Sequence, residues 1–125
     1  MQKPKTIKHA LLIILRIMIL IILLFTGKLF YEVAYSPYSS AMANPDRLTV
    51  LYRPGCHRCH KVMPYVLTRT LFSVKRIYFV NADKLTAKQL KEAELTLTPG
   101  FRYKGSTVQT INHQKIKQIV DKSAF

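Results

Sequence analysis

Hydrophobic positions divide the chain into three stretches. From Ala10 to Thr26 nearly every residue is apolar, between Lys3, Lys5, Lys8 and His9 on one side and Lys28 on the other. Residues 28–46 scatter their apolar positions among Tyr, Ser, Pro and Ala. From Arg47 onward, short apolar runs alternate with helix-like spacing, the pattern of a compact α/β domain. Leu48-Thr49-Val50-Leu51-Tyr52 has the β-branched and aromatic content of a buried strand, and Pro54-Gly55 breaks it. Val62, Tyr65, Val66 and Leu67, then Leu71 and Phe72, recur at helical spacing, which predicts a helix from about His57 to Thr70 with Pro64 inside it. Arg76–Asn81 reads as a second buried strand. Thr86-Ala87-Lys88-Gln89 has the capping-box form and opens a helix over about Ala87–Glu94. Phe101–Tyr103 and Thr107–Ile111 flank Lys104-Gly105-Ser106 as a hairpin. Asn112 caps a last helix with Ile116, Ile119 and Val120 on one face. The predicted order is β-α-β-α-β-β-α: a four-stranded mixed sheet, helices on both faces, behind an N-terminal apolar helix.

The apolar stretch is a membrane segment by composition. Its seventeen residues rise about 25 Å, and extension through Leu29, Phe30 and Tyr31, with Lys28 snorkelling, brings that to the roughly 30 Å of a hydrocarbon core. Arg16 lies within snorkelling reach of the N-terminal interface. Ala41-Met42-Ala43 has the small-x-small form of a signal cleavage site, but it lies far beyond the apolar run, past Lys28, Glu32 and three tyrosines. An uncleaved signal anchor is the favoured reading. The expected organisation is a basic cytoplasmic stub (1–9), a single transmembrane anchor (10–27), a stalk with little structure of its own (28–46) and a folded domain (47–125). The basic N-terminus stays in the cytoplasm by the positive-inside rule, which places the domain on the extracytoplasmic side of the cell membrane.

Charge adds a partner question. Residues 44–125 carry fifteen bases against five acids, a net +10. That charge attracts anionic lipid, polymer or an acidic substrate, or is simply a solvated surface. Nucleic acid is not expected as a partner outside the membrane.

The two cysteines of the chain, Cys56 and Cys59, sit where the first strand gives way to the first helix. At a helix start, unpaired N–H groups and the dipole stabilise a thiolate. Cys59 follows on the same face, one turn deeper. One activated thiol with a second behind it is what thiol–disulfide exchange requires. His57 and Arg58 are expected to lower the Cys56 pKa through their charge. A stabilised thiolate favours the reduced protein, so the disulfide becomes more oxidising, which suits forming or isomerising disulfides.

The same residues carry two rival readings. Cys56-His57-Arg58-Cys59-His60 satisfies the C-x-x-C-H haem-attachment spacing, with Met42, Met63 or His113 as axial candidates. Cys56, His57, Cys59 and His60 are also donors for copper or zinc, though crowded in sequence. A purely structural disulfide is disfavoured, since closing so short a loop stabilises little.

The element order, with Cys-x-x-Cys at the first strand-to-helix junction, Pro64 five residues after Cys59, and Thr98-Pro99 about forty residues beyond the cysteines, resembles the thioredoxin-like superfamily in its minimal form. The resemblance covers 47–125. It implies a thiol–disulfide oxidoreductase in which Cys56 attacks, Cys59 resolves, and a cis Thr98-Pro99 presents a backbone edge to substrate. It implies no cofactor beyond the redox-active Cys56–Cys59 disulfide and no metal. Departures are Gly55 where many thioredoxins have Trp, Val50 where thioredoxin has a buried acid, and His57-Arg58 between the cysteines. With its anchor, the chain is similar to bacterial accessory proteins that help bacteriocins and other secreted peptides acquire disulfides. The partners this implies are secreted cysteine-containing proteins or peptides and a membrane or extracytoplasmic redox partner.

Overall fold

A computed structural model describes residues 4–125; Met1, Gln2 and Lys3 of the expected basic stub lie outside the described residues. The apolar stretch is one long helix, α1 (Pro4–Ala34), whose most apolar eighteen-residue window has a mean hydropathy of 2.8 and is unburied. It is long and apolar enough to cross a membrane. A short helix, α2 (Tyr38–Ala43), follows. The domain then runs β1 (Thr49–Tyr52), α3 (His57–Thr70), β2 (Tyr78–Asn81), a 3-10 turn (Ala82–Lys84), α4 (Ala87–Glu92), β3 (Gly100–Tyr103), β4 (Ser106–Gln109) and α5 (His113–Ser123).

The four strands form one mixed sheet in the order β2-β1-β3-β4. β1 pairs parallel with β2, Val50 opposite Phe79, and antiparallel with β3, Val50 opposite Phe101. Alternation along β1 and β2 separates two cores. Leu48, Val50, Ile77, Phe79 and Phe101 face α3 and α5, where Val62, Val66, Ile116 and Val120 meet them. Leu51, Tyr78 and Val80 face the other way, against Ala41, Ala82, Ala93 and Leu95. Thr86 and Gln89 close the reciprocal capping box of α4, and the Asn112 side chain accepts from the N–H groups of Gln114 and Lys115. Lys104 and Gly105, both at positive φ (51° and 77°), form a two-residue hairpin turn. β4 therefore starts at Ser106 and ends at Gln109, earlier than the sequence pattern suggests.

The clearest departure from the sequence reading is residues 28–46. They are largely helical, and they pack on the domain. Lys28 and Glu32, one turn apart, form an ion pair at 3.3 Å. Glu32 is only 2% exposed, and its Oε1 accepts the N–H of Ile77 at 3.2 Å. Lys28 Nζ donates to the Ser73 carbonyl at 2.7 Å instead of snorkelling. Leu29 and Val33 lean on the first core, and Tyr38 and Met42 on the second. Arg76 lies over the rings of Tyr31 and Tyr78 and donates to the Tyr35 carbonyl. The last turns of α1 thus continue into the domain.

Candidate functional site

Cys56 is the N-cap of α3, with extended backbone (φ −85°, ψ 118°). The turn before it is closed by a hydrogen bond from the Cys56 N–H to the Arg53 carbonyl. Its sulfur fills the role that a Ser or Asp side chain usually takes, accepting the Cys59 N–H at 3.4 Å. A sulfur so placed faces donors that no earlier helical turn satisfies. Cys56 is half-buried, whereas Cys59 on the inner face of α3 is 1% exposed; both are thiols. His60 Nε2 donates to the Pro54 carbonyl at 2.5 Å, tying the first turn of α3 to the loop ahead of it.

Across from the cysteines lies the Thr96–Thr98 loop. The Gln109 side-chain oxygen accepts the N–H groups of Thr96 and Leu97 and fixes the loop against β4. The Thr98-Pro99 peptide bond is cis, and the Thr98 carbonyl is 3.6 Å from Cys56 Sγ. Gly100 continues directly into β3, where a Cβ would stand 2.6 Å from the Leu95 side chain. The structure therefore brings Cys56, Cys59, Arg58, Thr98 and Pro99 to one end of the sheet. His57, next to Cys56, is exposed.

The two thiols are driven apart in acidity. Burial pushes the Cys56 thiol up, but hydrogen bonds from the Thr98 side chain, from Cys59 and from the Arg58 N–H outweigh it and bring the pKa down to about 7. Burial pushes the Cys59 thiol up too, and the adjacent Cys56 sulfur adds to that, so it rises above the ordinary thiol value. Arg58 acts on Cys56 through its backbone amide. The sequence reading placed its side-chain charge, and that of His57, in this role.

Arg53, Gly55, Cys56, Arg58, Asp83 and Thr96–Thr98 line a groove of about 450 Å³. Arg53 Nε lies 3.3 Å from Asp83 Oδ1, joining the loop after β1 to the turn after β2. Neither residue is assigned to the site by the sequence reading. The only signal for them is position, since each stands just past a parallel strand on the same edge of the sheet. Leu97, 54% exposed, supplies the groove with an apolar wall. Among the described residues, no three His, Cys, Asp or Glu side chains gather in a way that holds a metal ion. His57 faces solvent and His60 turns to Pro54, so the four donors of the Cys-His segment do not converge. Searches against protein-family models and against curated proteins return no match for this chain.

Proposed function

We propose that this chain is a membrane-anchored thiol–disulfide oxidoreductase of thioredoxin-like type. The observation that carries the proposal is the asymmetric thiol pair: a half-exposed Cys56 with its pKa brought to about 7, backed by a buried Cys59 with its pKa raised. A thiol with a pKa close to ambient pH is the best attacking group in exchange, and it is also a good leaving group. The order β-α-β-α-β-β-α, with the cysteines at the first strand-to-helix junction and Thr98 beside them, supports the family reading.

The chemistry balances within the pair. The Cys56 thiolate attacks one sulfur of a substrate disulfide, whose other sulfur leaves and takes a proton from water. Cys59 then loses its proton to solvent and attacks Cys56 Sγ. That closes the Cys56–Cys59 disulfide and releases the second substrate thiol. The reverse sequence oxidises a dithiol, and interception of the mixed disulfide by another substrate thiol isomerises it. A thiol partner or disulfide partner of the opposite oxidation state resets the pair. With the sequence's oxidising lean, we take formation and isomerisation of disulfides in secreted peptides or proteins as the role, and α1 as a single membrane span with the domain outside. The burial of Glu32 in the domain supports an uncleaved anchor, because cleavage after Ala43 removes the acceptor of the Ile77 N–H.

The test is exchange catalysis by the full chain in detergent or nanodiscs on a peptide with scrambled disulfides. Wild type is expected to accelerate reshuffling. Cys56→Ser is expected to be inert, and Cys59→Ser to accumulate a mixed disulfide on Cys56. Equal rates for wild type and Cys56→Ser overturn the proposal.

A further inference from the structure

We propose that the turn between α3 and β2 rests in the headgroup layer of the bilayer that α1 crosses, holding Cys56 on the side of the domain away from lipid. This rests on the reading of α1 as a membrane span and goes beyond it. A span alone says nothing about how the domain stands.

The first observation is apolar surface in an unusual place. Phe72 is 56% exposed and Val74 is 82% exposed, on either side of the buried Ser73 in one turn. The turn is not loose. The Ser73 carbonyl and hydroxyl accept from Lys28 Nζ at 2.7 and 3.0 Å, and the N–H groups of Val74 and Lys75 donate to the Ala124 carbonyl at 3.1 and 3.2 Å. Two apolar side chains fixed outward on a pinned turn form a contact surface.

The second observation says what covers it. The Phe72 ring meets the ring of Phe25 edge-on, with centroids 5.2 Å apart. Phe25 stands at the end of the apolar run of α1, next to Thr26. A side chain touching the last apolar turn of a spanning helix lies at the membrane boundary, where aromatic residues are favoured. Lys75 follows the turn and suits an anionic headgroup layer.

The third observation sets the orientation. Phe25 meets Phe72 ahead of β2, Glu32 meets Ile77 at its start, and Ala34 and Tyr35 share a cavity wall with Val80 and Asn81 at its end. The last turns of α1 therefore run in the direction of β2. β1 is parallel to β2, so its Tyr52 end, which leads to Cys56, lies on the far side. α3 returns from Cys56 to Thr70, two residues before Phe72, and its fourteen residues span about 21 Å. The groove beside Cys56 thus opens about 20 Å from the lipid, towards soluble segments.

The chain contains no Trp, so a single introduced Trp reports its own depth. The full chain, carrying Leu20→Trp, Phe72→Trp or Leu97→Trp, is placed in phosphatidylcholine–phosphatidylglycerol vesicles. The lipids are brominated either at mid-chain or close to the headgroup. The Leu20→Trp reporter is expected to be quenched most by mid-chain bromine. The Phe72→Trp reporter is expected to be quenched more by bromine near the headgroup than by mid-chain bromine, as an interfacial side chain is. The Leu97→Trp reporter is expected to ignore both lipids and respond to aqueous iodide. If Leu20→Trp is quenched by lipid and Phe72→Trp responds only to iodide, the span stands and the docking is overturned. Lipid quenching of Leu97→Trp overturns the orientation. Absence of lipid quenching at Leu20→Trp removes the span, and the docked turn with it.

Discussion

Removing the Thr98 hydroxyl is expected to raise the Cys56 pKa, whereas removing the charge of Arg58 is expected to leave it nearly unchanged. Hydrogen bonds to the sulfur set its acidity. Thr98 contributes through its side chain and Arg58 only through its backbone amide. At pH 7, a thiol with a pKa of about 7 is half ionised, against roughly 1% for one at 9.0, a gain of about fifty-fold in thiolate. Lower basicity takes part of this back. With a Brønsted slope of 0.4–0.5 over two units, each thiolate is about six- to ten-fold less nucleophilic. The net expectation is a modification rate at pH 7 about six-fold above that of an ordinary exposed cysteine. The assay is iodoacetamide labelling of the full chain from pH 5 to 9, read by peptide mass. Cys59 is 1% exposed and less acidic, so the first adduct falls on Cys56. Wild type is expected to reach half its limiting rate near pH 7. Thr98→Val keeps the buried shape and loses the donor, so its midpoint should move up and its rate at pH 7 fall several-fold. Arg58→Ala and His57→Ala should track wild type. A wild-type midpoint at or above the ordinary thiol value refutes the hydrogen-bond account, and a large shift in Arg58→Ala restores the charge-based one.

Two further outcomes follow from the same structure. The Cys56 pKa is lowered in the reduced protein, so reduction takes up two protons below about pH 7 but only one above it, because Cys56 then stays a thiolate. The reduction potential should accordingly fall by about 59 mV per pH unit below that point and by about 30 mV per unit above it; a single unbroken slope from pH 5 to 8.5 contradicts the lowered pKa. Glu32→Ala leaves the buried Ile77 N–H without an acceptor and Lys28 without its partner, which should cost about 1–3 kcal/mol. Thermal unfolding in detergent should drop, and the Ile77 amide should exchange faster. Unchanged exchange at Ile77 says that the end of α1 does not belong to the domain.

Local chemistry in this chain was readable wherever the signal and its consequence were close in sequence. Pro54-Gly55 followed by apolar positions at helical spacing places α3 at His57–Thr70, as observed. Thr86 and Gln89 announce their capping box three residues apart, and Asn112 announces the start of α5. Near-continuous β-branched, aliphatic and aromatic runs in Leu48–Tyr52 and Arg76–Asn81 mark buried strands, because a strand with covered faces has no polar positions to spare. Residues 28–46 misled for the opposite reason. Lys28, Glu32 and Tyr38 look like solvated polar positions in a linker, but their partners are Ser73, Ile77 and Gln89, more than forty residues away. No periodicity carries that information. The site shows the same limit. The cysteines and Thr98-Pro99 stand out by spacing, while the Arg53–Asp83 pair and the Gln109 clamp on the Thr96–Thr98 loop come together only through the parallel pairing of β1 with β2 and the hairpin that follows. Of the groups that acidify Cys56, the N–H groups at the start of α3 are legible from the helix pattern, whereas the Thr98 side chain lies forty-two positions from the sulfur it serves.

The most direct test of the central claim is the redox titration of Cys56 and Cys59 in the full chain. The protein is equilibrated in glutathione buffers, acid-quenched, alkylated and weighed. The account predicts one reversible two-electron transition, in which both alkylation sites are lost together, with a midpoint inside the roughly −270 to −120 mV range spanned by exchange enzymes. If Cys56 and Cys59 never form a disulfide with each other, or if their disulfide resists reduction below roughly −300 mV as structural bridges do, the exchange account is contradicted.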